Sequence, residues 1–188
     1  MKHYKKEFFL GILIFTFYAV LFFACASSGS LSSSSASTSN YKPSRPVSDI
    51  TYNYESKNPS VSLVVNPTWS STSYSRGLYS FRCGFTNNSD KIIKIVWAGS
   101  TIYYGGSSYL PFIEGQKYID ATSNPMPATV LPKGGYLVKE VYSSEQPYYN
   151  NGWDMFFIQE RNIQLIFQID SENGTEYITA NVSWHYED

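Results

Sequence analysis

Two cysteines, Cys25 and Cys83, and two histidines, His3 and His185, are the chain's whole stock of thiols and imidazoles. Zinc sites cluster several such ligands, and one Cys with one His beyond the N-terminal segment cannot assemble that set. A Ser-His-Asp triad would rest on His185 alone, a lone histidine near the end of the chain that reads as structural or solvated. The acid pairs Glu140 with Glu145 and Asp154 with Glu160 would suit glycoside hydrolysis only if they met across a cleft; as sequence they read as surface charge. "DSENGTE" offers oxygen donors without the Asp-x-Asp-x-Asp-Gly order of a calcium loop. The expectation is therefore a non-enzymatic chain with no cofactor and no metal. Cys83 alternates with aromatics in "YSFRCGF", which puts Tyr79, Phe81, Cys83 and Phe85 on one strand face and makes the thiol a small buried hydrophobe.

Binding chemistry is concentrated in "EQPYYNNGWDMFF", Glu145 to Phe157. Tyr148, Tyr149 and Trp153 are candidates to stack on a sugar or grip a protein, with Asn150, Asn151 and Asp154 supplying hydrogen bonds. The competing structural reading, and the favoured one, has Trp153, Met155 and Phe157 alternating inward to close one end of the core, with the tyrosines lying over it.

Cys25 raises a different chemistry. It ends a segment that begins with "MKHYKKE" and continues through the apolar run "FFLGILIFTFYAVLFFA", the order of an export signal. The arrangement resembles the bacterial lipoprotein signal peptide, whose lipobox sets a small residue, here Ala24, before an acylated cysteine. Phe22 and Phe23 stand where the common pattern has Leu and Ala or Ser, so the likeness is to a relaxed lipobox. It implies lipidation of Cys25, with membrane attachment as the consequence. The alternative is an uncleaved anchor, since Phe8 to Ala26 approaches the ~20 residues that span a bilayer. Lysines before the run keep that end inside, so either reading puts the rest of the chain outside the cytoplasm. Ala26 and Ser27 after the cysteine resemble lipoproteins sent to the outer membrane, which implies an outer-membrane or cell-surface address.

These readings divide the chain into a signal peptide over 1–24, a Ser-rich tether over 25–58 and a folded domain over 59–188. A tether of ~30 residues would reach an r.m.s. ~30 Å. Of 14 basic and 15 acidic residues, three basic (Lys2, Lys5, Lys6) and one acidic (Glu7) precede Cys25, leaving eleven against fourteen and a net charge of −3. Without a basic stripe, nucleic acid is not an expected partner.

Aromatics at 18 % against 15 % charged residues favour pleated, half-buried surfaces. From Ser60 onward short alternating segments predict strands over 60–66, 78–86, 91–98, 100–104, 116–120, 136–142, 162–170 and 175–186, with turns at "TNNSDK", "PFIEGQ", "PKGG" and "SENG". Ile163, Leu165, Phe167 and Ile169 share one face, as do Ile178, Ala180, Val182 and Trp184, and these two segments should form the final hairpin. The class is an all-β antiparallel sandwich. "FTNNSDKIIKI" followed by "TVLPKGGYLVKEV" resembles segments of immunoglobulin-like domains on bacterial envelope proteins. That likeness implies an interaction domain whose partner is an envelope protein or, alternatively, a glycan held by the Tyr148 to Trp153 loop. Asn87, Asn173 and Asn181 begin Asn-x-Ser/Thr sequons that are incidental in a bacterial protein.

Overall fold

The computed structural model describes residues 45–71, 76–120, 123–149 and 153–187. All belong to the unit Lys42–Asp188, and the preceding unit, Met1–Tyr41, lies outside them. The chain runs through β1 (Arg45–Tyr54), β2 (Val61–Ser71), β3 (Arg76–Asn87), β4 (Ile93–Tyr104), β5 (Ser107–Tyr109), β6 (Pro111–Ile113), a 3-10 turn (Tyr118–Asp120) and β7 (Thr129–Leu131). It continues through β8 (Tyr136–Ser143), β9 (Pro147–Tyr149), β10 (Trp153–Met155), β11 (Asn162–Ser171) and β12 (Gly174–Glu187). These strands form an all-β antiparallel sandwich. One sheet has the order β1-β12-β11-β4-β5, with β7 also on β4, and the other has β2-β3-β8-β6. The β9-β10 hairpin is a separate pair.

The core is built by the rows that alternation predicts. Ile163, Leu165, Phe167 and Ile169 of β11 and Ile178, Ala180, Val182 and Trp184 of β12 are all buried, in register across a hairpin that turns at Gly174 with φ 118°. At the centre, Phe85 of β3 meets Phe167 of β11 edge-on at 5.1 Å, and Trp97 of β4 stands edge-on to both at 5.9 and 6.2 Å. All three rings are fully buried. Trp97 Nε1–H donates to Thr129 Oγ1 at 2.9 Å, so the indole enters the core with its polar atom satisfied. Cys83 is also buried and unpaired; desolvation first, then the Glu140 carboxylate, pushes its thiol far above the ordinary range.

Four expectations are corrected. The tether expected over 25–58 gives way to β1 from Arg45, which pairs along its length with β12 and buries part of Ile50, Tyr52 and Tyr54 against the core. The segments 91–98 and 100–104 are one strand, kinked where residues 97–100 face a single residue of β11. Gly99 sits in that bulge, where the end of the Gln168 side chain occupies the space a Cβ would take. Residues 118–120 form a 3-10 turn instead of a strand, closing on an Asp120 N–H to Lys117 C=O bond after Gly115 has turned the chain at φ 93°. Tyr79 does not share the face of Phe81, Cys83 and Phe85. A bulge pairs Thr68 with Ser80 but Trp69 with Leu78, so Leu78 takes the core position and Tyr79 joins a second cluster with Phe112, Tyr142 and Met155.

Buried amides tie turns together. Asn87 Nδ2 donates to the carbonyls of Lys91, Leu131 and Pro132 at 2.7, 3.1 and 2.9 Å, joining "TNNSDK" to "PKGG". Its nitrogen is thereby used up inside the fold, so the Asn87 sequon is structural. Along the seam, the tyrosine hydroxyls of Tyr52 and Tyr54 accept from the N–H groups of Val65 and Leu63 at 3.0 and 3.4 Å. Unpaired donors on the β2 edge are thus covered by β1, and Pro67 further along has no N–H to offer.

Two outcomes test this architecture. Trp97→Ala should cost about 3–5 kcal/mol in urea unfolding, from lost burial plus the cavity left behind. Asn87→Ala should cost about 1–3 kcal/mol, because three carbonyls lose their donor, where Asn88→Ala at the exposed neighbour should cost under about 0.5 kcal/mol.

Candidate functional site

The aromatic segment is positioned by one buried glutamine. After β8 ends at Ser143, Gln146 N–H bonds back to Ser143 C=O at 3.0 Å, and the Gln146 side chain turns inward to 1 % exposure. Its Oε1 accepts from Ser143 N–H at 2.6 Å, and its Nε2 donates to the carbonyls of Tyr79 and Phe156 at 2.8 and 2.9 Å. Phe156 N–H returns a bond to Gln146 C=O at 2.8 Å. The two ends of the β9-β10 hairpin are thereby pinned to each other and to β3. Ile158 extends the attachment through reciprocal backbone bonds with Leu78, and Gly77 beside it lets Phe157 and Gln159 approach where a Cβ would collide.

The hairpin separates its side chains into two roles. Met155 is buried with Phe112, and Phe157 packs edge-on against Tyr79 at 6.1 Å. Tyr148 stacks on Phe156 with centroids 4.1 Å apart and planes 20° from parallel. Its hydroxyl donates to Asp154 Oδ2 at 3.1 Å, and that bond, then partial desolvation, raises the phenol's pKa. Tyr149 is 70 % exposed, and its backbone is paired with that of Trp153. Tyr148, Tyr149 and Asp154 are thus brought to one exposed hairpin. Asn150, Asn151 and Cys25 lie outside the described residues, as does the Trp153 side chain.

Beside the hairpin, a cavity of about 360 Å³ is lined by Tyr104, Glu145, Gln146, Phe156 and Glu160, among others. Tyr104 OH lies 2.9 Å from Ser143 Oγ and 2.7 Å from Glu145 Oε1, and burial, above all, holds this phenol far above its ordinary pKa. Glu145, Gln146 and Phe156 belong to the aromatic segment singled out in the sequence, whereas Glu145 and Glu160 were each paired there with a different acid. Glu140 instead accepts from Thr68 Oγ1 at 2.9 Å and from Ser80 Oγ, away from Glu145. Asp154 is engaged by Tyr148. The larger groove at the other turns, about 770 Å³, has its charges mixed, including the Lys91–Glu172 pair at 3.1 Å. Among the described residues no three His, Cys, Asp or Glu side chains stand together to hold a metal.

No protein family, no curated protein and no solved structure matches this chain.

Gln146→Ala should cost about 1–3 kcal/mol, because Ser143 N–H and two carbonyls lose their partner inside the fold. Hydrogen exchange provides the check: the Ser143 and Phe156 amides should lose protection first, ahead of Leu165 and Phe167 in β11.

Proposed function

We propose that this chain is a lipid-anchored, non-enzymatic envelope protein, held outside the cytoplasm through Cys25 and presenting an immunoglobulin-like interaction domain. The observation that carries the reading is the order of segments: basic residues, an unbroken apolar run, Cys25, a serine-rich stretch, and then a folded sandwich whose first strand starts at Arg45. With β1 inside the domain, the serine-rich tether of this reading ends before Arg45. Dual or triple acylation would make attachment effectively permanent, where one chain is marginal.

Sheet order supports the immunoglobulin-like assignment. β2, β3, β8 and β6 correspond to strands A, B, E and D, and β4, β11 and β12 to C, F and G. On this reading Trp97 stands for the strand-C tryptophan, and the Phe85–Phe167 contact between the sheets stands where antibody domains carry a disulfide.

Metabolic labelling with a fatty-acid analogue tests the anchor. Wild type should take up label and be cleaved by protease on intact cells, and Cys25→Ala should take up none. An unlabelled wild type recovered from the cytosol would overturn the proposal.

A second reading, glycan binding by the hairpin, draws on the exposed Tyr149 beside the Tyr148–Phe156 stack. On that reading Tyr149→Ala and Trp153→Ala each reduce retention in polysaccharide-containing gels, whereas unchanged mobility of wild type across neutral polysaccharides removes it.

A further inference from the structure

The seam between β1 and β2 leaves two strand edges facing each other. Trp184 N–H donates to Arg161 C=O, so even-numbered residues of β12 turn their backbone groups toward β11 and odd-numbered ones toward β1. Through the register, Val47, Asp49 and Thr51 pair with His185, Ser183 and Asn181, which leaves Pro46, Ser48 and Ile50 to point their backbone groups the other way, toward β2. On β2, the bonds from Leu63 and Val65 N–H to tyrosine hydroxyls of β1 show that odd-numbered residues face the seam.

Near Tyr52 and Tyr54 those hydroxyls fill it. Further along, the seam opens into a cleft of about 600 Å³, with Pro46, Ser48 and Ile50 on one side and Val65, Pro67 and Trp69 on the other. Among the described residues, nothing accepts from Ser48 and Ile50 N–H or donates to the Val65 and Pro67 carbonyls. Ile50 and Trp69 pack against the core and give the cleft an apolar floor, Trp69 standing edge-on to Trp184 at 4.9 Å. Arg45 and Glu187, the charged residues of the lining, offset each other, so the cleft selects for no ion. Backbone groups repeated at every second residue, about 7 Å apart, match the edge of an extended chain; a compact ligand would reach only one or two of them.

We infer that this cleft binds an extended, uncharged peptide segment of a partner protein as an antiparallel neighbour of β1, its alternate apolar side chains resting on Val65 and Trp69. This gives the interaction domain proposed above a docking site, yet it belongs to the sandwich alone, so the labelling experiment and this one fail independently.

Residue-resolved hydrogen exchange of the full chain in a non-ionic detergent tests it. Without peptide, the Ser48 and Ile50 amides should be protected at least about tenfold less than those of Asp49 and Thr51, which β12 holds. Pentapeptides of the form acetyl-Thr-X-Thr-X-Thr-amide, with X as Val, Leu or Phe, are the probes. They should protect Ser48 and Ile50 saturably, and the same peptides N-methylated at X, where the N–H groups would face β1, should not. Ser48→Pro removes one donor from the open edge and leaves the β12 ladder intact, and should weaken binding about five- to tenfold. Circular dichroism shows whether that variant is folded; if it is not, the N-methylated peptides on wild type carry the comparison. No protection from any of the peptides, equal protection by the N-methylated forms, or slow exchange at Ser48 and Ile50 before peptide is added, the mark of a cleft filled by this chain or a second copy, would overturn the inference.

Discussion

Contact between Phe85, Trp97 and Phe167 substitutes for a covalent tie between the sheets. The sandwich holds a single cysteine, Cys83, so no disulfide can form inside it, and the facing sheets are joined by packing. Edge-on rings at 5.1 to 6.2 Å suit that task, because each ring's positive edge meets its neighbour's negative face while filling volume. Trp97 fits because its indole N–H finds Thr129, and β4 must bulge over residues 97–100 to carry it there. Gly99 is a consequence of that bulge.

Around this core, buried amides organise the irregular parts. Asn87 gathers two turns at one end and Gln146 closes the hairpin, each with donors and acceptors fully engaged. A satisfied amide costs little to bury, yet an unsatisfied one costs much, so each fixes a single loop geometry. The Gln146 latch brings Phe156 and Glu145 beside Tyr104, and the cavity follows from it. Architecture and candidate site therefore share their constraint: packed sheets first, then loops locked on them by side-chain amides.

Much of the fold was legible because strands bury every second residue. The rows of β11 and β12, their hairpin and the turns at Gly115, Gly134 and Gly174 follow from that period and from glycine's access to positive φ. Tyr79 escaped because a bulge reverses the alternation, and such a slip depends on the partner strand. β1 escaped because Ile50, Tyr52 and Tyr54 alternate behind a serine-rich stretch that reads as linker, and its burial is only partial. The tyrosines of the hairpin were visible as composition. The meeting of Glu145 with Glu160 was not: they lie on either side of the hairpin, and sheet topology, which no local pattern encodes, brings them to one cavity.

The central claim is that ring-to-ring contact, rather than apolar area alone, joins the two sheets. A double-mutant cycle of Phe85→Leu and Phe167→Leu, read by equilibrium urea unfolding with and without reductant, measures it most directly. The account predicts a coupling of about 0.5–1.5 kcal/mol and midpoints unchanged by reductant. Additive single substitutions, or a wild type that loses stability on reduction, would contradict it.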